Sequence, residues 1–194
     1  LKYDFNFKNS SINIPKNTFL KNRKIKIEHF NDTLKIINPY IAVYKNIKIK
    51  FKNPNSNKGN YLAVKDHEGN ESFASSKLNP LNYFELKTKK TGLYYISNDS
   101  ISPMIKPIKF KNGDWVSGEK YLKFKITDKE SGIKKYKGKI NGKWMLFEYE
   151  YKKNQISYEF DSNYLSKSKN EVEIEIEDMA GNSFIKTYTF YRNN

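Results

Sequence analysis

Two stretches, Ile126-Thr-Asp-Lys-Glu-Ser-Gly-Ile133 and Ile176-Glu-Asp-Met-Ala-Gly-Asn182, decide how this chain is read. In each, an alternating apolar run ends on an Asp and a short glycine-containing turn follows. Past the first turn, Lys134 to Ile140 leads into Asn141-Gly142, the dipeptide favoured by a two-residue hairpin that needs two positive φ angles. This punctuation predicts a small β-sandwich of the immunoglobulin-like kind. Such modules bind, space or brace other molecules, so the pattern speaks to architecture before it speaks to a ligand.

The same period runs outward through the chain. Ile25 and Ile27 alternate with Lys24, Lys26 and Glu28, and Ile47, Ile49 and Phe51 alternate with Lys48, Lys50 and Lys52. Leu122, Phe124 and Ile126 alternate with Lys123 and Lys125. Phe147, Tyr149 and Tyr151 alternate with Glu148 and Glu150, and Val172, Ile174 and Ile176 with Glu171, Glu173, Glu175 and Glu177. Successive strand side chains point to opposite faces, so these runs predict strands with one buried face. No apolar stripe at helical spacing competes with them. Turn clusters fall at 53–59, 66–69, 112–114 and 152–155. The expected fold is all-β, with two consecutive immunoglobulin-like β-sandwich domains, 1–102 and 103–194. The boundary sits in Asn98-Asp-Ser-Ile-Ser-Pro103. Gly92 to Ile96 reads as the last strand of the first domain. Pro103 and Pro107 mark an edge-like opening of the second.

A length of 194 residues suffices for two such cores. The absence of cysteine excludes disulfides, thiolate metal sites and a thiol nucleophile. It suits a cytoplasm and equally a bacterial periplasm or surface. No run of about 18 apolar residues predicts a membrane span. The chain begins at Leu1 without a signal-peptide pattern, and is expected to be a fragment or a mature product. Of 36 basic residues only Arg23 and Arg192 are arginines. Nucleic-acid readers lean on the arginine fork, so no nucleic-acid partner is expected. The lysine excess has two readings: AT-rich codon bias, or a basic surface for an anionic envelope polymer. Residues 1–102 hold 18 basic and 8 acidic side chains, net +10, and residues 103–194 hold 18 and 13, net +5. A functional basic stripe would therefore fall in the first half, with Lys48, Lys50 and Lys52 on one exposed face near Lys24 and Lys26.

The run from Asp128 to Trp144, then Phe147-Glu-Tyr-Glu-Tyr151, then Asp178-Met-Ala-Gly-Asn182, resembles the region downstream of the catalytic domain in lysostaphin-like zinc endopeptidases of Bacteroidetes. Residues 12–20 are similar to the opening of the preceding β domain in those proteins, and Gly92 to Pro107 to their inter-domain junction. The resemblance implies a periplasmic or cell-surface location and partners in peptidoglycan or in an upstream catalytic domain. It does not carry the zinc chemistry across. Those enzymes need a His-x-His pair, whereas the histidines here are His29 and His67, with no such pair. Two functional classes follow: a non-catalytic accessory module of a larger peptidoglycan peptidase, or a stand-alone adhesion or glycan-binding surface protein. No cofactor is expected.

Individual residues carry paired readings. His29 shares the parity of Ile25 and Ile27 and is expected to be partly buried and hydrogen-bonded. His67 is expected to be a solvated turn residue. Asp128, Glu130 and Asp178 are a candidate Ca²⁺ ligand set if their strands are neighbours, but Asp side chains at such positions more simply cap turns. The Glu171–Glu177 ladder is expected to pair with lysines on a neighbouring strand. Trp115, Trp144, Tyr149 and Tyr151 are candidates for stacking on sugar rings, against the alternative that aromatics fill the cores.

Overall fold

The structure, a computed structural model, describes residues 2–19, 25–37, 42–55, 59–161, 165–166 and 168–193. It is all-β, with no α-helix among the described residues. The chain divides into two compact units, Leu1–Ser100 and Ile101–Asn194.

The first unit contains β1 (Tyr3–Asn6), β2 (Ser10–Ile14), β3 (Lys26–Phe30), β4 (Thr33–Ile37), β5 (Ile47–Lys52), β6 (Asn60–Lys65), β7 (Glu71–Ser75), β8 (Tyr83–Thr88) and β9 (Gly92–Asn98). These form a four-stranded sheet, β1-β2-β5-β8, and a five-stranded sheet, β3-β4-β9-β6-β7. Ile12, Ile14, Ile47, Ile49, Phe51 and Phe84 from the first sheet pack with Leu34, Ile36, Leu62, Val64 and Tyr94 from the second in one core. Each fully buried aliphatic or aromatic side chain of this kind contributes roughly 1.5–3 kcal/mol. The alternation across β5 is complete, with Ile47, Ile49 and Phe51 buried and Lys48, Lys50 and Lys52 exposed.

Lys48, Lys50 and Lys52 share one exposed face, but the expected stripe does not reach Lys26. Lys26 sits on β3, in the opposite sheet from Lys48, Lys50 and Lys52. The core between the sheets forces their polar faces apart. Lys24 lies outside the described residues.

The second unit contains β10 (Met104–Ile108), β11 (Asp114–Trp115), β12 (Tyr121–Thr127), β13 (Ile133–Ile140), β14 (Lys143–Met145), β15 (Glu148–Glu150), β16 (Gln155–Glu159), β17 (Lys169–Asp178) and β18 (Ser183–Tyr191). Its sheets are β10-β12-β16-β15 and β11-β18-β17-β13-β14. Leu122, Phe124, Ile126, Ile156 and Phe147 meet Ile140, Val172, Ile174, Ile176 and Phe190 between them. Pro107 lies in the edge strand β10, where its missing N–H disturbs no inner ladder. Asn141 and Gly142 have φ of 50° and 77° and close the β13–β14 hairpin. One strand is shorter than its alternation implied: β15 ends at Glu150, and Tyr151 opens a 3₁₀ turn. Asn154 closes that turn in the left-handed conformation, which asparagine tolerates and which stops the strand.

Candidate functional site

The sequence-selected residues separate into several places. On the β1-β2-β5-β8 sheet, Lys50 pairs with Glu85 at 2.8 Å, and Lys48 stands directly across from Lys87. Trp115 and Trp144 lie on β11 and β14, the two opposite edges of one sheet, so they share no surface. Trp115 packs on Tyr191 with ring centroids 5.3 Å apart. Tyr149 contacts Tyr136 at 5.7 Å, and its hydroxyl donates to Asn154 Oδ1 at 3.3 Å. Trp144 and Tyr151 are largely exposed.

Asp128 and Asp178 do converge, with carboxylate oxygens within 4.8 Å of each other. Their oxygens serve the turns. Asp128 accepts from the N–H groups of Glu130 at 3.1 Å and Gly132 at 2.7 Å. Asp178 accepts from the Asn182 N–H and side-chain amide, both at 2.8 Å. Glu130 thus enters through its backbone and not as a third carboxylate. The glutamate ladder pairs with β13: Glu173 with Lys139 at 2.7 Å, and Glu177 with Lys134 and Lys135 at 2.8 and 2.6 Å. Hydrogen bonds from Lys134, then Lys135, hold the Glu177 carboxyl below its usual value.

The histidines sit apart. His29, on β3, stacks flat on Phe7 at 4.5 Å. Contrary to the hydrogen-bonded role expected, its buried Nε2 has no partner among the described residues; the neighbour that orients this ring is an apolar one. His67 is in the β6–β7 turn, its Nε2 3.1 Å from Thr91 Oγ1. Asp66 beside it accepts from the Asn70 and Glu68 N–H groups, which hold its carboxyl below the ordinary range.

One site was not legible in the sequence. It is a cleft of about 840 Å³ in the first unit, and unequal strand lengths create it. β4 pairs with β9 only as far as Thr33 opposite Tyr95, while β9 continues to Asn98 against β6. Beyond Tyr95 the β4-facing side of β9 has no strand partner among the described residues. The space left is walled by Asn9, Asn31, Asp32 and Thr33 at two hairpin turns, by Lys52 at the end of β5, and by Pro54 and Asn55 beyond it.

Asparagines share the lining with Phe51, Leu93, Tyr95 and Ile96. Asn98 Nδ2 donates to Asn60 Oδ1 at 2.9 Å. Asn60 Nδ2 donates to Asn53 Oδ1 at 2.8 Å, and Asn53 Nδ2 to Asn82 Oδ1 at 3.2 Å. Asn9 donates to Asp32 Oδ1 at 2.8 Å, tying the two hairpin turns together. This relay fixes one wall. The side chains of Asn31, Asn55 and Ser97 remain without hydrogen bonds among the described residues. Tyr95 supplies an aromatic face; burial, then the adjacent Glu71 carboxylate, push its phenol well above the usual value. Fixed amides, unengaged amide and hydroxyl groups, one oriented aromatic ring and lysines suit a hydroxyl-rich ligand. Of the sequence-selected residues only Lys52 reaches this cleft. Of its asparagines only Asn55 fell in a turn cluster named from the sequence, 53–59; Asn31, with φ of 50°, also sits in a turn.

No protein-family model and no curated protein matches this chain.

Proposed function

We propose that this chain is a non-catalytic binding module of a bacterial cell envelope, built from immunoglobulin-like units, which holds a larger peptidoglycan zinc endopeptidase on its polymer. The observation that carries the reading is the amide-lined cleft of the first unit. It offers several unengaged donors and acceptors beside an aromatic ring, as saccharide recognition requires. The resemblance of Asp128–Trp144 and Asp178–Asn182 to the region downstream of zinc endopeptidase domains supports the accessory role. The lack of a His-x-His pair in the sequence supports an absence of zinc hydrolysis by these residues alone.

The test is co-sedimentation with purified peptidoglycan, with product release followed in parallel. The chain is expected to pellet with the polymer and, with zinc added, to release no new amines or reducing ends. Failure to pellet at low salt rejects the binding role, and metal-dependent release rejects the non-catalytic one. A stand-alone glycan-binding protein is the second reading, favoured by exposed Trp144 and Tyr151. A His-x-His zinc domain upstream of Leu1 in the same polypeptide would decide for the first.

A further inference from the structure

A second depression, of about 400 Å³, opens on the same sheet and is lined by Lys35, Ile37, Lys65, His67 and Glu68 among others. It shares Lys65 and Leu93 with the amide-lined cleft. The register explains the join. Leu93 stands opposite Lys35 on β4 and opposite Lys65 on β6, so a lysine flanks it on either side. Leu93, Tyr95 and Ser97 share one face of β9, spaced about 6.6 Å apart, so the path from the Ser97 end to Leu93 is about 13 Å. Next across the sheet, Ala63 stands between Tyr95 and Phe73, and its small side chain keeps the floor low.

Charge along this path is uneven. Lys35, Lys52 and Lys65 make no ion pair among the described residues. The carboxylates around them are engaged. Asp32 accepts from Asn9, and Asp66 from its own turn. Glu68 accepts from Asn70, and Glu71 faces Tyr95. Glu28, which stands across from Lys35, is paired with Lys26.

Resting on the saccharide reading of the cleft, we infer that the two depressions form one groove for a linear, carboxylate-bearing oligosaccharide. Its sugar rings lie along Tyr95 and the amide wall, and an acidic group is held over Leu93 between Lys35 and Lys65. A monosaccharide would fill one depression and leave the other empty.

The test uses the whole chain, ¹⁵N-labelled, titrated with tetragalacturonate, with uncharged chitotetraose, with galacturonic acid and with a tetra-alanine peptide. Tetragalacturonate is expected to shift amides at both ends, Asn60 and Ser97 at one and Lys65 and Thr91 at the other. It should bind at least tenfold more tightly than chitotetraose at 50 mM salt and lose most of that advantage at 500 mM. Lys65→Gln, on an exposed side chain, should lower affinity for the acidic tetramer about tenfold and for the neutral one less than twofold. Equal affinity for the two tetramers, or no effect of K65Q, overturns the inference while saccharide binding stands. Galacturonic acid shifting both ends as fully as the tetramer overturns the continuous groove. If neither tetramer shifts Asn60 or Ser97, the saccharide function fails with it. Shifts from the peptide alone reassign the open side of β9 to peptide binding and overturn both.

Discussion

Gly138 lies directly beneath the ring of Phe147: a Cβ on Gly138 would stand 2.1 and 2.2 Å from two ring carbons. The glycine is on β13 and faces the core, and Phe147 enters that core from the segment that follows β14. The Tyr136 hydroxyl donates to the Phe147 carbonyl at 2.9 Å, so the ring cannot simply withdraw.

Gly138→Ala is therefore expected to destabilise the second unit by about 2–3 kcal/mol through overpacking. Phe147→Leu in the same chain should recover part of that loss, giving a non-additive pair. Urea unfolding of the four combinations measures it. Additive losses would mean that the two residues do not contend for one space.

Glu177 sits between Lys134 and Lys135, and its carboxyl is held below the ordinary 4.5. A depressed carboxylate contributes stability above that value, and the contribution is lost as pH falls through the lower folded-state value. Glu177→Gln is expected to cost about 0.5–1 kcal/mol at pH 7. Well below pH 4 the variant and the parent should converge. A difference that persists in acid would assign the cost to packing.

Tyr94 is buried in the first core and donates to the Lys90 carbonyl at 2.8 Å. Burial pushes its phenol from 10 up to about 12. The folded value exceeds the unfolded one, so stability is intact below pH 10 and declines as pH rises through 12, by up to roughly 2–3 kcal/mol. Tyr94→Phe should lose about 1 kcal/mol at neutral pH with the hydrogen bond. In exchange it should flatten the alkaline decline. Denaturant titrations between pH 8 and 12 measure both effects.

Within the cleft, structural and ligand-facing amides should separate. Asn60→Ala removes the centre of the relay, taking the acceptor from Asn98 Nδ2 and the donor from Asn53 Oδ1, an expected cost of about 1–3 kcal/mol. Asn55→Ala and Ser97→Ala remove side chains with no internal bond, so stability should change by less than about 0.5 kcal/mol. Their affinity for oligosaccharide should fall severalfold. Equal stability losses in all three variants would make the whole lining structural.

The period-two runs determined the strands and their faces: Ile47, Ile49 and Phe51 went inward with their lysines outward, and Val172, Ile174 and Ile176 did the same against their glutamates. Asn141-Gly142 and Asp178-Met-Ala-Gly181 likewise marked their own turns. These are local properties, because strand pleat and turn dihedrals are set by residues a few positions apart. Which strands become neighbours is not local. The parallel pairing of β11 with β18 and the glutamate ladder of β17 against the lysines of β13 join residues far apart in the chain. The cleft belongs to the same class. It exists because β9 runs past the point where β4 turns away, and only tertiary pairing sets that mismatch and gathers Asn9, Asn31, Asn55, Asn60 and Asn98 around it.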